Sequence, residues 1–196
     1  MILILSGTNR PGSNTRKVAE YVLKTTKEIT GLEVKLLSLE DIPYSIFHDQ
    51  MYSGDDMPME IIAIQEEYIL PAEKMVILTP EYNGSFAGVL KMFIDALSVR
   101  KYAENFKGKS GALIGVSSGR AGNLRGLEHL TGLFHYLGMH IHPAKLPVSS
   151  ISEVMNDGKL NEPTQEAING IFFRALNGDI HLNNKSFLFG LEGWLC

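Results

Sequence analysis

Short apolar runs alternate along the chain with longer segments of helical period. The runs are ILIL (2–5), LEVKLL (32–37), KMVILT (74–79), GALIGVS (111–117) and MHIHP (139–143), and the spacing between them predicts helices over about 14–29, 58–71, 86–98, 123–137 and 163–176. Five strands alternating with helices make βαβ units, hence an α/β fold with a parallel sheet covered on both faces. KMVILT lacks polar alternation, as a strand buried on both sides requires. The stretch 86–98 spaces Phe86, Val89, Leu90, Phe93, Ile94 and Leu97 as the stripe of a core-facing helix. One long connection, 40–57, has no clear periodicity, yet it is too aromatic for a disordered spacer.

The chain of 196 residues suits a single domain, 1–196, with 177–196 as a C-terminal tail beyond the last predicted helix. Charge narrows the partners: 18 Lys+Arg stand against 22 Asp+Glu, and no basic block exceeds VRK at 99–101, which argues against nucleic acid. The single cysteine, Cys196, excludes an internal disulfide and a thiolate metal cluster. Met1 leads straight into the first apolar run, so a soluble cytoplasmic protein with no membrane partner is expected.

In such a sheet, ligands sit beyond the carboxyl ends of the strands, where strand order reverses. The first, third and fourth strands are followed by GTNRPGSNT (7–15), PEYNGS (80–85) and SGRAGN (118–123), all rich in Gly, Asn and Ser and all opening helices. In the first loop Gly7 and Gly12 permit tight turns, N–H groups converge at the helix start, and Ser13, Asn14, Thr15 and Arg10 add donors and charge for an anion. Its GxxxxG spacing is that of a nucleotide P-loop, but Ser13 and Asn14 stand where Lys and Ser/Thr are needed, and Thr79 stands where a magnesium-binding Asp is expected. Nucleotide hydrolysis is therefore disfavoured, and the absence of GxGxxG disfavours a dinucleotide pyrophosphate. Capping of the helix by Ser13 or Asn14 is the plainer alternative. In the second loop Tyr82 offers a wall for a flat heterocycle or a packing residue, and Asn83-Gly84 also reads as an ordinary turn. Glu81 reads as a solvated acid, so no acid/base side chain is nominated. His48, His129, His135, His140 and His142 make a metal set by count only, with no pair at H-E-x-x-H spacing.

The three stretches SGTNRPGSNTRKVAEY (6–21), TPEYNGSFAGVLKMFIDAL (79–97) and SSGRAGNLRGLEHL (117–130) resemble the NAD(P)H-dependent FMN reductases, a family that includes quinone, azo-dye and chromate reductases. The resemblance covers about residues 1–150. It implies a flavodoxin-like, doubly wound, five-stranded parallel sheet. It implies FMN as cofactor, with NADPH or NADH as donor and a small molecule as electron acceptor. Thr8, Arg10, Ser13, Asn14 and Thr15 would bind the FMN phosphate. Pro80, Glu81, Tyr82, Asn83 and Gly84 would line the isoalloxazine, and Ser117, Ser118, Gly119 and Gly122 would approach its other edge. The family often has Ser at Thr8, Asn at Thr15 and a second glycine at Asn123; Arg120 faces either solvent or the nicotinamide nucleotide. A flavodoxin-type electron carrier and a cofactor-free protein of the same fold are the alternatives. The apolar-ended tail 177–196, together with 41–57, is expected at a homodimer or homotetramer interface.

Overall fold

The computed structural model describes residues 1–176; the tail 177–196 and the docking role expected of it lie outside the described residues. Strand β1 (Ile2–Ser6) is buried along its whole length. Leu3 and Leu5 join one apolar cluster and Ile2 and Ile4 the other, because successive strand residues point to opposite faces. Strands β2 (Val34–Ser38) and β3 (Lys74–Pro80) flank β1 in parallel, and β4 (Ser110–Val116) pairs in parallel with β3. With β5 (His140–Ile141) beyond β4, the order is β2-β1-β3-β4-β5. That is the flavodoxin-like doubly wound order.

Seven helices accompany the strands among the described residues: α1 (Asn14–Thr30), α2 (Met59–Ile64), α3 (Gly88–Leu97), α4 (Tyr102–Asn105), α5 (Leu124–Tyr136), α6 (Ile151–Val154) and α7 (Glu162–Leu176). Helices α1 and α7 cover the face of Ile4, Val76 and Leu78 through Val18, Ala19, Val22 and Ile168. The opposite face, with Leu5 and Ile77, is covered by α2, α3 and α5 through Ile61, Leu90, Phe93, Leu130 and Phe134. A π turn, Gln65–Ile69, extends α2, and the Lys109 amine closes it by donating to Ile69 O at 2.7 Å and Leu70 O at 3.1 Å. Burial pushes that amine down to about 8. The fully buried Gln65 amide donates to Arg100 O at 2.8 Å and Asn105 Oδ1 at 2.7 Å, so the turn's one interior polar side chain is satisfied.

The strand expected over 139–143 is split. After β5, His142 still donates its N–H to Gly111 O at 2.8 Å, but Pro143 has no N–H with which to continue. The Ala144 N–H turns to His142 Nδ1 at 3.2 Å, and the chain regains β4 only as β6 (Leu146–Val148), making a sheet of six strands rather than five. Helix α3 starts at Gly88, two residues later than its apolar spacing predicts. Thr79 Oγ1 accepts from the Ala87 N–H at 3.2 Å and holds that residue extended. The aperiodic segment 40–57 is a string of short turns whose Ile42, Ile46, Phe47, Met51 and Met57 are buried in the α3-side core. Before α7 stands a small hairpin of β7 (Met155–Asn156) and β8 (Lys159–Leu160), closed by Asp157 and Gly158, both at positive φ.

Candidate functional site

Because β1, β3 and β4 are parallel neighbours, the three Gly/Asn-rich loops emerge side by side at their carboxyl ends, next to the reversal of strand order between β1 and β3. The first leaves β1 through Gly7, whose N–H donates to Leu78 O at 2.7 Å; a Cβ there would stand 2.8 Å from the same oxygen. Thr8 is fully buried, accepts from the Arg10 N–H at 3.3 Å and shares a hydrogen bond with the Tyr82 hydroxyl at 3.1 Å. The Arg10 side chain is exposed.

Ser13 is the cap of α1: its Oγ accepts from the Arg16 N–H at 3.1 Å. Asn14 is the first helical residue instead, exposed, with Oδ1 accepting from Lys17 Nζ at 3.5 Å; Thr15 is buried. Among the described residues, no acceptor in the chain meets the N–H groups of Ser13, Asn14 and Thr15. They are the orphan donors of a helix start and form the positive end of its dipole. The next donor out is taken. Glu40, in the turn Leu39–Asp41 after β2, accepts from the Gly12 N–H at 2.5 Å through Oε1 and from Ser13 Oγ at 3.3 Å through Oε2. Beside it Arg16 binds Asp41 at 2.5 Å and Glu20 at 3.2 Å, and the hydrogen bond to Asp41 leads in holding this guanidinium above its ordinary value.

In the second loop β3 runs through Pro80, which pairs with Val116, rather than ending ahead of it. Glu81 continues the ladder by donating its N–H to Val116 O at 3.0 Å. Tyr82 and Ser85 then exchange backbone hydrogen bonds of 2.9 and 3.1 Å around Asn83 (φ 53°) and Gly84 (φ 73°), the turn that Asn-Gly favours. Tyr82 is half-buried and packs its ring against the α3-side core. The Ser85 hydroxyl meets His129 Nδ1 at 2.9 Å. The Glu81 carboxylate does not stand free in solvent: its Oε2 accepts from Ser117 Oγ at 2.8 Å and from the Asn123 N–H at 3.2 Å, tying the second loop to the third.

In the third loop Ser117 is buried, its Oγ also accepting from the Gly119 N–H at 3.0 Å, while Ser118, Gly119 and Arg120 are exposed. The backbone then folds against the end of β6: Ser150 donates its N–H to Gly119 O at 3.1 Å, and Ser149 Oγ donates to Arg120 O at 2.7 Å. Gly122 is buried at φ 56°, and a Cβ there would lie 2.6 Å from Pro147 Cβ and 2.8 Å from the Pro147 carbonyl carbon. Asn123 follows at φ 67°, a conformation Asn tolerates better than most side chains, and its amide donates to Thr79 O at 3.1 Å and Pro80 O at 2.9 Å. Where the family often has glycine, this chain thus gains two bonds that clamp α5 to the end of β3. The Asn123 Oδ1 is buried without a partner.

All fourteen candidate residues therefore sit on the three adjoining loops or on the strand and helix ends that flank them, although Gly122 is enclosed and Glu81 is engaged as a tie. Among the described residues no three metal-capable side chains gather, and no helix is long and apolar enough to cross a membrane. Two residues of the site escape sequence reasoning. Glu40 follows the second strand, whose loop lacks the Gly/Asn pattern, and only the β1–β2 register, Ser6 opposite Ser38, puts it beside Ser13. Thr79 reads as a strand residue, but its hydroxyl sets the start of α3.

Comparison with known proteins agrees with this geometry. The family model for NADPH-dependent FMN reductase matches residues 1–153. An NAD(P)H-dependent FMN reductase of Pseudomonas aeruginosa is 30% identical over 188 residues, covering 90% of this chain and 97% of the relative. A quinone reductase of Escherichia coli is 33% identical over 137 residues, 69% of this chain and 70% of its own. Among solved structures, the flavoenzyme NAD(P)H:(acceptor) oxidoreductase FerB of Paracoccus denitrificans superposes with a TM-score of 0.70 at 25% identity, covering 86% of this chain and 91% of that one. The chain belongs to the NADPH-dependent FMN reductase family.

Proposed function

We propose that this protein is an FMN-dependent oxidoreductase that takes a hydride from NADPH or NADH and delivers the electrons to a small acceptor, a quinone or a free flavin. The observation that carries this reading is the first loop. Three unanswered N–H groups stand at the start of a 17-residue helix, flanked by hydroxyls and Arg10, and the donors beside them, the Gly12 N–H and the Ser13 hydroxyl, already hold one oxyanion, the Glu40 carboxylate. That donor set fits a phosphomonoester and offers no lysine or magnesium ligand for a triphosphate.

In this reading Thr8, Arg10, Ser13, Asn14 and Thr15 hold the FMN phosphate through backbone N–H groups and side chains. Pro80, Glu81, Tyr82, Asn83 and Gly84 line the ring. Ser117, Ser118, Gly119 and Gly122 form the other edge, Gly122 by shaping the backbone. FMN, when bound, supplies the hydride-accepting and electron-donating chemistry. The chain supplies placement: Thr8–Tyr82 locks the first loop to the second, and Glu81 locks the second to Ser117 and Asn123 of the third. Such cross-links hold the walls of the site at fixed separation. No side chain is assigned as acid or base. Arg120 and Arg125 are exposed on this rim, Arg125 with its guanidinium 3.6 Å from where a Gly84 Cβ would stand, and their charge suits an anionic nicotinamide nucleotide.

The working form in this reading is a cytoplasmic homodimer or homotetramer. Exposed Tyr44 and Tyr52 in the segment after β2 support that assembly. The enzymatic reading is favoured over an electron carrier because the two relatives named above, 30% and 33% identical to this chain, are reductases. The test is steady-state oxidation of NADPH and NADH by purified protein. Turnover should require both FMN and an added quinone. FMN retention with no oxidation of either nicotinamide would make the protein a carrier, and no FMN retention would defeat both readings.

A further inference from the structure

We propose that Glu40 is a tethered competitor for the phosphate loop, which loosens the protein's grip on the phosphate end of FMN and keeps the cofactor exchangeable. This inference rests on the phosphate-binding reading of that loop.

The carboxylate of Glu40 sits astride the loop, Oε1 on the Gly12 N–H at 2.5 Å and Oε2 on the Ser13 hydroxyl at 3.3 Å. Its placement is built into the fold. β2 and β1 end in register, Ser6 opposite Ser38, and the Ser38 hydroxyl accepts from the Glu40 N–H at 3.4 Å, fixing the turn that carries Glu40. The neighbouring acid, Asp41, has a cation in Arg16, which also binds Glu20. Glu40 feels the charge of Arg16 at longer range, but among the described residues it makes no ion-pair contact, and its side-chain donors are those of the loop alone. The cation whose charge reaches it is Arg16 of α1, and Asp41 follows it on its own turn.

A serine hydroxyl has one proton to donate. Ser13 also caps α1 as an acceptor, so donation to Glu40 and donation to a phosphate are mutually exclusive. A phosphomonoester brings more than one negative charge. Placed on the N–H groups of Ser13, Asn14 and Thr15, it meets on the adjacent donors a carboxylate that no cation contacts. In the free protein Glu40 keeps the loop in its anion-holding shape; in the loaded protein the same charge opposes the ligand. The flavin then leaves more readily than it would from a loop without the acid.

The experiment titrates apo-protein with FMN and with riboflavin, which lacks the phosphate, following flavin fluorescence for the natural chain, Glu40→Gln and Glu40→Ala. Gln keeps the shape and an acceptor for Gly12 without the charge; Ala removes both. The expected result is FMN binding tighter by about tenfold or more in both variants, with riboflavin affinity unchanged. If the natural protein prefers FMN to riboflavin but both variants bind FMN no better or worse, Glu40 is a loop support and the proposal fails alone. If the natural protein does not distinguish FMN from riboflavin, the phosphate-loop reading fails and takes the proposal with it.

Discussion

Replacing Gly122 with alanine should destabilise the protein by about 2–6 kcal/mol, enough to consume much of the stability of an ordinary domain. Two costs combine. Gly122 lies at φ 56°, where a side chain is strained, and its Cβ would fall 2.6 Å from Pro147 Cβ and 2.8 Å from the Pro147 carbonyl carbon. The second neighbour is backbone of β6, paired with β4 through Gly115 and Pro147, so it cannot swing aside as a side-chain tip does. Gly119, three residues earlier in the same loop, is the control. A Cβ there meets only Ser117 Oγ at 3.5 Å, an ordinary contact, and Gly119→Ala should stay within about 0.5 kcal/mol. Urea unfolding of the two variants checks the contrast. Equal midpoints would mean that the third loop is not wedged against β6 as described.

Replacing Arg10 with alanine should weaken FMN binding about 10–100-fold while leaving riboflavin binding alone, the magnitude of a charge-assisted hydrogen bond to a phosphate. Arg10 is exposed, and among the described residues no carboxylate lies in ion-pair range of it, whereas Arg16, inside α1, is held by Asp41 and Glu20. Arg16→Ala should therefore change FMN affinity far less. Fluorescence titration with both flavins separates the cases: equal losses for FMN and riboflavin in Arg10→Ala would show that the arginine does not read the phosphate.

The sequence exposes the frame of the protein because its signals are local. ILIL and KMVILT are runs that only a doubly covered strand tolerates, and the Gly/Asn loops announce themselves at the carboxyl ends of β1, β3 and β4. What stays hidden depends on pairing between distant segments. Nothing near Glu81 in the chain says that its carboxylate will be taken by Ser117 and by the Asn123 N–H, thirty-six and forty-two residues on. Glu40 looks like one more surface acid until β2 is laid beside β1. Asn123 reads as a departure from glycine, although its left-handed backbone and its bonds to Thr79 and Pro80 make it a tie between α5 and β3. The break between β5 and β6, by contrast, has a signal in plain view, Pro143, which cannot donate to the ladder.

In the proposed function, the three loops at the carboxyl ends of β1, β3 and β4 hold FMN where a nicotinamide can reach it. The most direct measurement is anaerobic addition of NADPH, and separately NADH, to the FMN-loaded protein, following the yellow absorbance of the flavin. The account predicts that at least one of them bleaches the colour at one equivalent per bound flavin, and that a quinone added afterwards restores it. Colour that survives both nicotinamides but disappears with dithionite would contradict it.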